Sequence, residues 1–187
     1  MIDGTGDRHS ALVRTTHWIT AASFGGLLVS GIAILLAHPR LYWGETGALG
    51  TPSLIDLPLP MLLTGQSGWG RYLHFLSAWV CVLTAVGYVP RALRADHFSK
   101  YTHAQRVAYR IVVFALFPLM IWTGLAMSPA MTAVFPVLVT TLGGQQSART
   151  IHFVVANLLV LFVVGHIVMV TAAGFTRHVG AMIVGDA

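Results

Sequence analysis

Four stretches of the chain stay apolar for about twenty residues each, at 16–37, 70–90, 107–128 and 149–174. About 20 consecutive apolar residues are what an α-helix needs to cross roughly 30 Å of hydrocarbon. Inside lipid the backbone must satisfy its own hydrogen bonds, so such stretches have one stable form, the helix. The expected fold class is therefore an all-α membrane protein, a single domain over residues 1–187 built as a four-transmembrane-helix bundle. Composition agrees, with 56% hydrophobic and only 9% charged residues, against about 25% charged in soluble domains. Pro118 falls inside the third span and predicts a kink there.

The connections differ in character. The first, HPRLYWGETGALGTPSLIDLPLPMLLTGQSGWG, is long, rich in Gly and Pro, and carries Tyr42, Trp43 and Trp69, which suit a loop at the membrane interface. The second, RALRADHFSKYTHAQR, is short and basic, and the third, PAMTAVFPVLVTTLGGQQSA, is semi-apolar. Of the eleven Lys and Arg residues, Arg8, Arg14, Arg91, Arg94, Lys100, Arg106, Arg110 and Arg177 fall on one side of this topology and Arg40, Arg71 and Arg149 on the other. Positive residues stay in the cytoplasm, so both termini are expected there. The net charge of +5 is scattered singly near span ends, without the basic runs of a nucleic-acid-binding chain. Cys81 is the single cysteine, which excludes an intrachain disulfide and a C-x-x-C-H haem attachment. The first apolar run lacks a small-residue cleavage site and reads as a retained helix.

Histidines carry the functional signal. His17, His74, His152 and His166 lie in the spans, where an ionisable side chain is costly unless neutral, paired or ligated. Imidazole binds haem iron axially while remaining neutral. His152 and His166 are fourteen residues apart, two heptads, so they share one helix face in a left-handed bundle. At about 1.5 Å per residue they stand roughly 21 Å apart along the axis. That separation suits two stacked cofactors rather than one metal ion, whose ligands must converge. Depth pairs His74 with His152 at the outer surface and His17 with His166 at the inner one. The triplet R-x-x-H recurs at Arg14–His17, Arg71–His74 and Arg149–His152, placing each arginine one turn toward the surface, where it can reach haem propionates.

Plainer roles exist for these residues. A single intramembrane His also serves as a helix-to-helix hydrogen-bonding group, and an Arg near a span end as a snorkelling anchor. His9, His38, His97, His103 and His178 lie in tails or connections as ordinary surface residues, with His38 the competitor for the outer site. Gly25, Gly26, Gly31, Gly87, Gly124 and Gly165 serve close helix packing better than a macrocycle, and Trp18, Trp79 and Trp122 read as interface or lipid-facing groups.

The RTTHW near the N-terminus, GRYLH opening the second span, QRVAYR before a third span ending in TGLAM, and RxxH-x13-H in the fourth together resemble the bacterial cytochrome b561 / nickel-hydrogenase b-type cytochrome family. That family includes the gamma subunit of formate dehydrogenase and the thiosulfate-reductase-type cytochrome b subunits; HPRLYWGETG looks most like the latter. The resemblance covers all four spans. It implies a subunit of the bacterial inner membrane holding two non-covalent b haems, ligated by His17 and His166 on the cytoplasmic side and by His74 and His152 on the periplasmic side. It also implies electron transfer between quinone and a periplasmic molybdopterin or iron-sulfur partner. Family members show a Y-N-x-x-Q-K-like stretch near an inner quinone site. Here KYTHAQR keeps Gln105 and Arg106 in type but has Thr102 at the Asn position, with His103 as a replacement donor; a solvated basic loop is the plain alternative. Two other functions fit the same residues: a self-sufficient quinone oxidoreductase using a small outer oxidant, and a haem-free anchor or proton relay.

Overall fold

In the computed structural model, residues 10–47, 51–57, 67–92 and 102–185 are described. Arg8, His9, Arg94, His97 and Lys100 lie outside these residues, and Arg91 belongs to the end of a helix whose side chains are not described. The chain is mostly helical. Helix α1 (Ala11–Ala37) is followed by two short strands, β1 (Arg40–Leu41) and β2 (Ile55–Asp56), and by α2 (Ser67–Ala92). Then come α3 (His103–Ile111), a π-turn (Val112–Leu116), α4 (Phe117–Ala126), the short α5 (Pro129–Val134) and α6 (Val137–Thr140), α7 (Gln145–Ala172) and α8 (Phe175–Ile183).

Among the described residues, three helical runs are long and apolar enough to cross a membrane: Ala11–Ala37, His103–Ala126 and Gln145–Ala172. Helix α2 runs 26 residues beside α1. Each long helix begins three to five residues before its apolar window (11 against 16, 67 against 70, 103 against 107, 145 against 149). The reason is local capping: a helix can start in polar sequence when its first N–H groups find acceptors. Ser10 Oγ accepts from Val13 N at 3.4 Å for α1. Thr102 and Gln105 form a reciprocal capping box for α3.

Before Pro118 the helix is irregular. Proline cannot donate a backbone hydrogen bond, and its ring crowds the carbonyl four residues back. The helix widens just before it: Phe117 N–H bonds Val112 O, five residues back, through the π-turn.

Helices α1 and α2 pack through small residues. A Cβ on Gly26 would overlap Ser77 Oγ, and one on Gly70 would stand 3.4 Å from Ala33 Cβ and 3.5 Å from Ser30 O. Such contacts bring helix backbones close where no hydrophobic driving force operates. Helices α4 and α7 form the second pair, and Val112, Val155 and Leu159, joined by Phe24 of α1, make the central apolar cluster.

The described parts of the first connection, 38–47 and 51–57, pair with each other and pack on α7. β1 and β2 pair antiparallel, Arg40 opposite Asp56, with Arg40 Nε donating to Asp56 Oδ2 at 3.1 Å. Leu41 and Tyr42 are buried, Thr150 Oγ1 donates to Tyr42 O at 2.6 Å, and Gly44 meets the start of α7. There Gly44 O accepts from Gln146 N (3.0 Å) and Ser147 N (3.3 Å), while Gly44 N donates to Ser147 Oγ (2.8 Å). A carbonyl from a distant loop thus caps α7, whose own N-cap, Gly144, has no side chain to do so.

Candidate functional site

His74 on α2 and His152 on α7 come together, with ring centroids 6.2 Å apart and planes inclined at 57°. Each ring is held from behind by a hydroxyl on the helix its own helix packs against. Ser30 Oγ of α1 lies 3.0 Å from His74 Nδ1, and Thr123 Oγ1 of α4 lies 2.9 Å from His152 Nδ1. Both hydroxyl residues are fully buried. The next residue in each case is a glycine along the ring edge: Cβ atoms on Gly31 and Gly124 would stand 3.8 and 3.7 Å from the Cε1 atoms of His74 and His152. With Nδ1 taken by the hydroxyl, Nε2 is the ring nitrogen that could serve a ligand.

The pair is compatible with a metal that both imidazoles would hold. The 6.2 Å between the ring centroids is compatible with one metal atom held between two imidazoles. Among the described residues no group of three His, Cys, Asp or Glu side chains gathers around a metal position. Two imidazoles brought together in this way are a donor pair that haem iron could take.

Above this pair stands a positive cluster. Arg149 Nη2 donates to His38 O, and both Arg149 and Arg71 act electrostatically on the His38 ring. Desolvation at the end of α1, then the two guanidinium charges, hold the His38 imidazole below the ordinary histidine value. His38 is exposed at the C-cap of α1, whereas the facing rings are those of His74 and His152.

The inner candidates are arranged differently. His17 meets Trp18 edge-on at 5.3 Å, and His166 stacks on Phe162 at 6.4 Å, which in turn meets Tyr109 edge-on at 5.7 Å. Arg14 Nη1 donates to Ile183 O at 3.4 Å and Trp18 Nε1 to Met182 O at 3.0 Å, so both bind the C-terminal end of α8, where partial negative charge gathers. Arg14 Nε is buried without an acceptor. Gln105 spends its side-chain oxygen on the capping box with Thr102 and turns its amide nitrogen to Met169 Sδ at 3.8 Å, three residues past His166. Of the tryptophans read as interface groups, Trp18, Trp79 and Trp122 are all exposed, and Trp122 donates to Leu138 O at 3.1 Å.

Ser30 and Thr123 escape a reading of the sequence. Their one sequence mark is a hydroxyl-Gly dipeptide, Ser30-Gly31 and Thr123-Gly124, inside an otherwise apolar span.

The prokaryotic cytochrome b561 family matches residues 8–185 of the chain. Among curated proteins, a putative protein-methionine-sulfoxide reductase subunit YedZ1 of Azospira oryzae is 28% identical over 196 residues, covering 87% of this chain and 89% of that protein. No solved structure matches.

Proposed function

Because the chain belongs to the prokaryotic cytochrome b561 family, and is thereby a membrane b-type cytochrome that transfers electrons, we propose that it is a di-haem subunit linking the quinone pool to a redox partner. Under this reading four helices cross the bacterial inner membrane with both termini cytoplasmic. His74 and His152 hold the outer haem, and His17 and His166 the inner one. The observation that carries the reading is the His74–His152 pair, brought together at a spacing compatible with a metal between two imidazoles and backed by a hydroxyl on each side.

Bound haem supplies the one-electron iron couple. The chain's residues supply everything else. The partly buried imidazoles would hold the haem, the apolar helices keep water away, and Arg71 and Arg149 offer positive charge to acid groups at the outer end. At the inner end Arg14, with its free Nε donor, is the residue to meet an acid group. Quinone exchange belongs near Gln105, His103 and Arg106, because the Gln105 amide already reaches the turn of α7 that follows His166.

The outer face suits a protein partner. The first connection is clamped to α7 by three hydrogen bonds at Gly44 and displays Trp43 and Leu54 at 60% and 62% exposure. The Azospira oryzae relative is itself a putative reductase subunit, which supports an oxidoreductase partner; we take it to be periplasmic and molybdopterin-dependent.

Difference spectra of membranes, dithionite-reduced minus air-oxidised, test the assignment. His74→Ala and His152→Ala are expected to lose the same b-type signal, and His17→Ala and His166→Ala the other. A crossed pattern overturns the pairing, and wild-type membranes without b-type absorption overturn the function.

A further inference from the structure

The two hydroxyls behind the outer histidines do more than fill space. A serine or threonine in an apolar helix ordinarily gives its proton to the carbonyl one turn back, and both do so here. Ser30 Oγ lies 2.6 Å from Gly26 O and 3.2 Å from Leu27 O. Thr123 Oγ1 lies 2.8 Å from Leu119 O and 3.1 Å from Met120 O. A hydroxyl has one proton and two acceptor lone pairs. With that proton committed to a carbonyl, the oxygen can only accept from the imidazole beside it.

It follows that Nδ1 of each ring carries the hydrogen. A neutral imidazole protonated at Nδ1 has its lone pair on Nε2, where a metal could take it. The same construction occurs twice on separate helix pairs: hydroxyl and glycine on α1 behind His74 of α2, hydroxyl and glycine on α4 behind His152 of α7.

We infer that Ser30 and Thr123 are positioning residues that fix the Nδ1–H tautomer of His74 and His152, and so present Nε2 as the ligand atom on both faces of the outer haem. The inference rests on the axial assignment proposed above, but its test uses different residues. Accepting a hydrogen bond from Nδ1–H makes the imidazole a stronger donor to iron, and favours the ferric form over the ferrous. Loss of the hydroxyl therefore weakens haem retention and raises the midpoint potential.

The experiment uses the purified, haem-loaded protein with Ser30→Ala, Thr123→Val and the conservative Thr123→Ser, reading haem affinity and the midpoint potential of each haem by redox titration. Ser30→Ala and Thr123→Val are expected to weaken one haem's binding by roughly 10- to 100-fold. A tenfold loss of ferric preference raises that haem's potential by about 59 mV. The other haem stays at its wild-type potential, and Thr123→Ser restores both readouts. Wild-type affinity and potentials in both Ser30→Ala and Thr123→Val would refute the inference. Retention of both haems by His74→Ala would instead refute the axial assignment itself.

Discussion

Replacing Gly144 with alanine tests whether the outer connection is truly fastened to α7. Gly144 has φ 116° and ψ 172°, a region essentially reserved for glycine, where another residue costs of order 1–3 kcal/mol. An added Cβ would also stand 2.5 Å from Gly44 O and 2.6 Å from Gly44 C. These are backbone atoms and cannot rotate aside. Gly44 must retreat, and its three hydrogen bonds to Gln146 and Ser147 loosen with it, at about 0.5–1.5 kcal/mol each. The expected loss is about 3–7 kcal/mol in all. Unfolding of the purified protein in detergent, followed by helical circular dichroism, measures it. Gly174→Ala is the control, because Gly174 has a similar φ of 109° but open space around its Cβ position; it should cost only the backbone strain. Equal losses in the two variants, or none in Gly144→Ala, would show that the Gly44–Gly144 contact does not hold the connection down.

Two further outcomes follow from the same geometry. His38 has its pKa lowered by desolvation and by Arg149 and Arg71, so below about pH 6.5 the unfolded chain binds a proton that the folded chain resists. Stability should therefore fall as pH drops from about 6.5 toward the folded value, and His38→Gln should flatten that slope in pH-dependent unfolding; an unchanged slope would exclude His38 as its source. Gly26→Leu, which drives a side chain into Ser77, should cost about 1–3 kcal/mol by forcing α1 from α2. Gly25→Leu, one residue away with nothing within 4 Å, should leave the unfolding midpoint in place.

Span-length apolar runs made the helices legible, and the fourteen-residue interval made one face of α7 legible as well. Both signals are periodic and need no knowledge of neighbours. The hydroxyl support was not legible for a physical reason. Ser30 and Thr123 satisfy themselves on their own helices, so nothing in the local sequence asks for a partner; only the packing of α1 on α2 and of α4 on α7 brings them to Nδ1. The fastening of Gly44 was hidden similarly, since it acts through its backbone and its acceptor role depends on a helix start a hundred residues later. A different case is Thr102 with Gln105. Their T-x-x-Q spacing is a helix-start signature in its own right, yet the resemblance to a quinone-site motif draws attention to the same residues for another purpose. The capping box fixes where the Gln105 amide points.

The π-turn at Val112–Leu116 has a consequence for aim. One surplus residue in a helix turns everything after it by about 100° and advances it by about 1.5 Å. Thr123 and Gly124 lie downstream of that surplus, Arg106 and Tyr109 upstream. Deleting a single residue from 112–116 would mend the helix's hydrogen bonding and, at the same stroke, swing Thr123 away from His152 while leaving the amino acids around the histidine unchanged. The wide turn works as a phase setting: it lets one continuous rod keep Gln105 on one half and turn its other half, rotated, to the ring it must steady.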